Sequence, residues 1–162
     1  MNIIFEGIDN SGKSTLVNAV ANETQWPVGP KEGKPINFDS VIDKIERYLL
    51  FDKHLFDRHP VISQSIYGPL RDDPHVPPAL TEAFYQQKPL IVYCRVVDKR
   101  LVGHLPSATD DLDHLKALSE NYYELLQKYD RWAIRYARIF YTDYAQTRQV
   151  IAMLKGVISE CR

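Results

Sequence analysis

Asn2-Ile3-Ile4-Phe5-Glu6-Gly7-Ile8-Asp9-Asn10-Ser11-Gly12-Lys13-Ser14-Thr15 decides the fold of this chain. Residues 2–5 are a short apolar run that predicts a buried strand. The pattern Gly-x-x-x-x-Gly-Lys-Ser follows at once, from Gly7 to Ser14. Leu16, Val17, Ala19, Val20 and Ala21 then continue as a helix. Strand, glycine loop and helix in that order are the required context of a phosphate-binding loop. Glycines let the backbone turn tightly, so that successive N–H groups face phosphate oxygens. The helix behind adds the positive end of its dipole. Gly7, Asn10, Ser11, Gly12, Lys13, Ser14 and Thr15 are therefore the expected contacts to ATP. Lys13 is placed to reach the β- and γ-phosphates, and the Ser14 hydroxyl to ligate Mg²⁺. A chance glycine loop would not have all three parts in register.

Composition sets limits on the rest. With 162 residues and 44% hydrophobic content, the chain is expected to form one domain with a sizeable core. A net charge of -1 supplies no footprint for a polynucleotide or a membrane surface. The two cysteines, Cys94 and Cys161, are too few for a disulfide framework and lack metal-ligand spacing. No apolar run approaches a membrane span, and the N-terminus reads as a core strand rather than a leader. A reducing cytoplasm is the expected compartment.

Along the chain, strands alternate with helices. A loop rich in proline and glycine spans Pro27 to Pro35. Asp39 or Ser40 is expected to cap a helix carrying Val41, Ile42, Ile45, Leu49 and Leu50. His54 to Asp57 predicts a short strand, Val61 to Tyr67 a helix begun by Pro60, and Ala79 to Gln87 another helix. Leu90 to Val97 is a β-branched, nearly continuous apolar run, as in strands of parallel sheets covered on both faces. Leu115, Leu118, Tyr122, Leu125, Tyr129, Trp132 and Tyr136 mark a long helix whose aromatics serve the core. Arg138 to Thr142 gives a last strand, and Val150 to Ile158 a closing helix. The alternation predicts an α/β sandwich with right-handed crossovers and a mainly parallel sheet. Ligands in such sheets sit at the carboxyl ends of the strands. That rule gathers residues 7–14, the pair Asp57-Arg58 and the segment after Val97 around one cleft.

Asp57-Arg58 narrows the chemistry. An acid ending a strand beside a phosphate loop can hold Mg²⁺ through water or accept a proton from an attacking hydroxyl. The neighbouring guanidinium can grip a second anionic group with its rigid fork of donors. A partnerless surface salt bridge is the alternative, and the position at a strand end argues against it.

Phe5-Glu6-Gly7-Ile8-Asp9 running into Gly12-Lys13-Ser14-Thr15, with Asp57-Arg58-His59 downstream, resembles the thymidylate kinase branch of the nucleotide kinases. The resemblance is densest over residues 3–16 and extends over 55–67. It implies the three-layer α/β/α sandwich of P-loop kinases over residues 1–162, with a short lid at about 98–113. It also implies that Asp9 meets the acceptor's sugar hydroxyl and that Arg58 holds the acceptor phosphate. Ser63 and Tyr67 are the acceptor-site positions that follow, each about one residue later than in the family. The family's Arg-Glu-Pro-Gly-Gly segment has no counterpart, and Trp26-Pro27-Val28-Gly29-Pro30 occupies its place. The chain is also shorter than typical members, as phage-encoded and other viral versions often are.

The expected reaction is Mg²⁺-dependent transfer of the ATP γ-phosphoryl group to a deoxynucleoside monophosphate, with dTMP as the family's acceptor and the base here open. Arg95, Lys99 and Arg100 are the lid cations expected to neutralise charge in the transition state. Asp110, Asp111 and Asp113 fit a helix cap better than a metal site. Phe51, Phe84, Tyr85, Tyr122 and Tyr123 join Tyr67 as side chains able to stack on a base. A homodimer, implied by the resemblance, can use the apolar face of Val41, Ile42, Ile45 and Leu49. Three rivals stand beside this reading. A deoxynucleoside kinase would need a carboxylate base for a 5′-hydroxyl, which Asp57 can supply. A polynucleotide-end kinase would want a basic groove, which the charge balance does not provide. A nucleotide-dependent switch or interaction ATPase would order its loops on binding, but the Asn-Lys-x-Asp segment of GTPases is absent.

Overall fold

The computed structural model describes residues 1–8, 11–31, 37–70, 72–95 and 112–160, and the side chains of 112–122 and 144 lie outside it. Strand β1 (Ile3–Glu6) leads to helix α1 (Lys13–Thr24), then α2 (Phe38–Leu49), β2 (Leu55–Asp57), α3 (Pro60–Tyr67) and α4 (Pro78–Gln86). Strand β3 (Leu90–Cys94), the long helix α5 (Leu112–Tyr136), β4 (Ile139–Tyr141) and α6 (Thr147–Glu160) complete the order. The strands form one sheet in the order β2-β1-β3-β4, and every pairing is parallel. Parallel neighbours need crossovers, and the helices supply them.

The pleat divides the core in two. Ile3 and Phe5 face the side where Leu16, Val17 and Val20 of α1 meet Leu154 and Ile158 of α6. Ile4 faces the side built from Val41 and Ile45 of α2, Val61 and Ile62 of α3, Phe84 of α4 and Tyr129 and Ala133 of α5. The α/β sandwich expected from the alternation, with the three layers that the resemblance implies, is thus observed. Helices on both faces explain why β1 is buried at every position. Among the described residues no helix is long and apolar enough to cross a membrane.

Several local expectations change. Helix α2 is capped by Asn37, not Asp39 or Ser40. The Asn37 side chain accepts the Ser40 amide at 2.9 Å, and the Ser40 hydroxyl receives the Asn37 amide at 3.1 Å. Ser40 is therefore the third residue of a capping box, a role a hydroxyl can fill as well as the usual Glu or Gln. Of the α2 face expected to support a dimer, Val41 and Ile45 are buried in the protomer's own core, and Ile42 and Leu49 are half-buried. Strand β3 ends at Cys94, and Val96 and Val97 lie outside the described residues. The lid expected at 98–113 lies outside them as well, except that 112 and 113 already belong to the backbone of α5.

The loop after α1 is more ordered than its prolines and glycines suggest. Val28 forms a parallel bridge with Leu55, so the chain runs beside β2 as a strand stub. There Gly29 lies against the Phe56 ring, where a Cβ would sit 2.2 Å from the ring carbon Cε1. Gly29→Ala is expected to lower stability by about 1–3 kcal/mol, the usual cost of overpacking a closed contact. Urea denaturation of the two proteins checks it.

Candidate active site

The loop after β1 is shaped by backbone demands that only glycine meets. Gly7 has φ 149°, and a Cβ there would lie 2.3 Å from the Cys94 carbonyl oxygen. The loop therefore lies directly on the carboxyl end of β3. Helix α1 begins after Gly12 with no side-chain cap and no acid in its first turn. A helix start of this kind, with its dipole and leading N–H groups, suits an external anion. The Lys13 ammonium folds over the same loop, donating to the Ile8 carbonyl and, at 3.1 Å, to the Ser11 hydroxyl. A cation and uncapped amides together make an anion cradle.

Parallel pairing brings the second motif alongside. Phe5 of β1 is level with Asp57 of β2, so the Asp57 carboxylate reaches the start of α1. There it accepts a hydrogen bond from the Ser14 hydroxyl. A hydroxyl and a carboxylate side by side are hard oxygen donors suited to Mg²⁺. Among the described residues no group of three or more His, Cys, Asp or Glu is arranged for a metal. A cation here would thus complete its shell with phosphate oxygens and water, as Mg²⁺ commonly does. Asp57 also faces a cation that the sequence did not single out, Lys31, whose Nζ is 3.8 Å from Asp57 Oδ2.

Arg58 occupies a strained backbone position, φ 77°, rare for a residue with a side chain. The turn is held from both sides. The Arg58 amide donates to the Phe5 carbonyl at 3.0 Å, and the next amide, that of His59, donates to Glu6 Oε1 at 2.7 Å. The guanidinium then lies against the phosphate loop, with Nη2 donating to the Gly7 carbonyl at 3.3 Å. Tyr67 backs it, the guanidinium carbon lying 5.5 Å from the ring centre. Arg58 and Tyr67 are therefore brought together at the loop. Ser63 lies on α3, where its amide closes the first turn on the His59 carbonyl. The His59 ring belongs to the scaffold. It accepts the Val61 amide at the start of α3, and burial, aided by Lys44, lowers its pKa to about 3, which keeps it neutral.

Glu6 is the site residue that sequence reasoning passed over. Its carboxylate is fully buried at the root of the loop. Besides the His59 amide it accepts the Tyr129 hydroxyl at 3.2 Å, which ties α5 to the loop. Burial pushes its pKa up to about 7, against the pull of the His59 N–H, Arg58, Lys13 and Tyr129. The one available signal was an acid closing an otherwise apolar strand, a position that needs partners.

Arg95 is placed differently from a free lid cation. Its guanidinium makes a two-pronged pair with Asp130 of α5, Nε to Oδ1 at 2.7 Å and Nη2 to Oδ2 at 3.0 Å. Tyr93 donates to the same carboxylate at 2.7 Å. Asp9, Asn10, Lys99, Arg100, Asp110 and Asp111 lie outside the described residues. Of the aromatics considered for base stacking, Phe84 is buried against the His59 ring, with centroids 4.4 Å apart. Tyr85 stacks on Tyr136 at 4.9 Å, while the exposed Tyr123 lies on α5. Cys94 is packing, its thiol pushed up to about 12 by burial.

No protein-family model and no curated protein sequence matches the chain. Solved structures do. The YorR protein of Bacillus subtilis, crystallised with phosphorylated GDP, superposes with a TM-score of 0.71 at 17% identity, over 98% of this chain and 96% of that one. Deoxyadenosine kinase from M. mycoides, with dCMP and dCDP bound, gives 0.57 at 16% identity over 100% of both chains. The same enzyme with dCTP gives 0.54 at 16% identity, over 97% of this chain and 100% of that one. At such identities the likeness shows the fold alone, an α/β sandwich that matches P-loop kinase folds, and does not extend to the thymidylate kinase branch.

The raised Glu6 pKa has a consequence for stability. The native state keeps a proton that the unfolded chain, with the ordinary value of 4.5, releases. The Glu6 contribution therefore falls as pH rises from 4.5 to about 7 and is level above that. Glu6→Gln is expected to remove this part of the pH dependence and to gain on the wild type toward neutral pH. Urea denaturation at several pH values measures it, and parallel curves for the two proteins would contradict the assignment.

Proposed function

We propose that this protein transfers the γ-phosphoryl group of ATP to the 5′-phosphate of a deoxynucleoside monophosphate, giving ADP and the diphosphate. The observation that carries the reading is the strained Arg58 turn, which aims a guanidinium at the loop whose Lys13 and uncapped amides suit a triphosphate. One anion cradle suits a donor. A second fixed cation beside it suits an anionic acceptor.

In this reading Lys13 and the amides of residues 9–15 hold the ATP phosphates. Ser14 and Asp57 would hold Mg²⁺, which when bound neutralises phosphate charge. Arg58 fixes the acceptor phosphate, Asp9 its sugar hydroxyl, and Ser63 and Tyr67 flank the acceptor. An acceptor phosphate oxygen forms the new bond to the γ-phosphorus as the bond to the β,γ-bridging oxygen breaks, and ADP leaves with that electron pair. An ionised phosphate needs no strong base, so positioning and electrostatics carry the step. Arg95 and Arg100 supply further positive charge, Arg95 by exchanging Asp130 for a phosphate oxygen.

A second reading, phosphorylation of a nucleoside 5′-hydroxyl, would need a carboxylate base, and Asp57 at the end of β2 is the carboxylate able to supply it. Asp57 is already committed to Ser14 and faces Lys31.

Incubation with ATP, Mg²⁺ and a panel of deoxynucleosides and their monophosphates, with products resolved by chromatography, separates the readings. Diphosphate formed from a monophosphate is the expected result. Monophosphate formed from a nucleoside would move the assignment to the second reading, and ADP with neither product would favour a nucleotide switch. Lys13→Ala should cost roughly two or more orders of magnitude in turnover while the protein stays folded. Near-normal turnover in that variant would overturn both transfer readings.

A further inference from the structure

Between α1 and α2 the backbone is clasped at successive points beside β2. The Leu55 amide donates to the Pro27 carbonyl at 2.9 Å, and the Gly29 amide to the Leu55 carbonyl at 2.8 Å. Gly29 is flattened on the Phe56 ring, and the Tyr48 hydroxyl donates to the Pro30 carbonyl. The next residue is Lys31. It emerges at the carboxyl end of the sheet, beyond the edge strand β2, where Asp57 also emerges. Its ammonium lies 3.8 Å from Asp57 Oδ2, the same oxygen that accepts the Ser14 hydroxyl, yet its side chain is 80% exposed.

At 3.8 Å, with the lysine end this open to water, the pair contributes little to stability, although Asp57 is only 14% exposed. The aromatic clasp, the close glycine contact and the ladder bonds instead deliver a cation to the rim of the phosphate cradle. We propose that Lys31 binds a phosphate group of the nucleotide held at this site, its ammonium moving from Asp57 to a phosphate oxygen. The flexible four-carbon stem permits that exchange, and an ammonium is a compact point charge suited to a phosphate oxygen. A divalent cation on Ser14 and Asp57 would repel the ammonium from the carboxylate and toward the phosphates. This inference rests on the proposed nucleotide site. The phosphate belongs to the donor or to the acceptor, and the chemistry is the same for both.

Equilibrium titration without metal distinguishes the sources, using ATP in one arm and dAMP, dCMP, dGMP and dTMP in the other. Lys31→Ala is expected to weaken binding about tenfold in one arm, the loss of one charge-assisted contact, and Lys31→Arg to retain it. The salt dependence of binding should also be shallower in Lys31→Ala. Its thermal midpoint should match the wild type, since the side chain is mostly in solvent. A loss with ATP assigns Lys31 to the donor, and a loss with a monophosphate assigns it to the acceptor. Wild-type affinity and salt slope in Lys31→Ala for every ligand would overturn the inference. A wild-type protein that binds none of these ligands would overturn the nucleotide site itself.

Discussion

The buried carboxylate of Glu6 is the constraint on which the site depends. It closes the central strand, and its two oxygens take the His59 amide on one side and the Tyr129 hydroxyl on the other. An acid taken wholly out of water costs several kcal/mol unless its oxygens are satisfied and positive charge lies near. Here the parts the site needs in place offset some of that cost, while burial still holds the pKa up at about 7. Lys13 comes from the phosphate loop, Arg58 and the His59 amide from the turn after β2, and Tyr129 from α5. Satisfying one buried group thus fixes three segments distant in sequence.

Arg58 shows how that fixation is used. Alone, a left-handed arginine would relax to a commoner backbone conformation. Flanked by an amide bonded to Phe5 and an amide bonded to Glu6, it stays. Its guanidinium is then directed across the loop before any ligand arrives, so less ordering remains to be done on binding. The uncapped start of α1 has the opposite character. Helix α2 has a full capping box, whereas α1 starts after Gly12 with no side-chain cap. That asymmetry fits one helix end kept for an anion and one serving only the scaffold.

Much of this was legible in the sequence. Alternating periodicities gave the order of strands and helices, because burial on both faces of a parallel sheet leaves continuous apolar runs such as Leu90 to Cys94. The phosphate loop and the Asp57-Arg58 pair were legible because their chemistry needs fixed residue types at fixed spacing. Element ends were harder to place. Asn37 became the cap through a capping box completed by a hydroxyl, and Pro27 to Gly29 joined the edge of the sheet through bonds to Leu55 that no local pattern announces.

By itself, then, the sequence determined the α/β architecture and the glycine loop between β1 and α1, both of which follow from local periodicity and short-range spacing. Tertiary structure decided which charges meet. Glu6 reaches Tyr129, Ser14 reaches Asp57, Arg95 is taken by Asp130, and Lys31 stands at the rim of the site. Each of these contacts joins residues far apart along the chain. Their partners were fixed by strand order and by which face of each helix is buried, and neither can be read until the sheet is assembled.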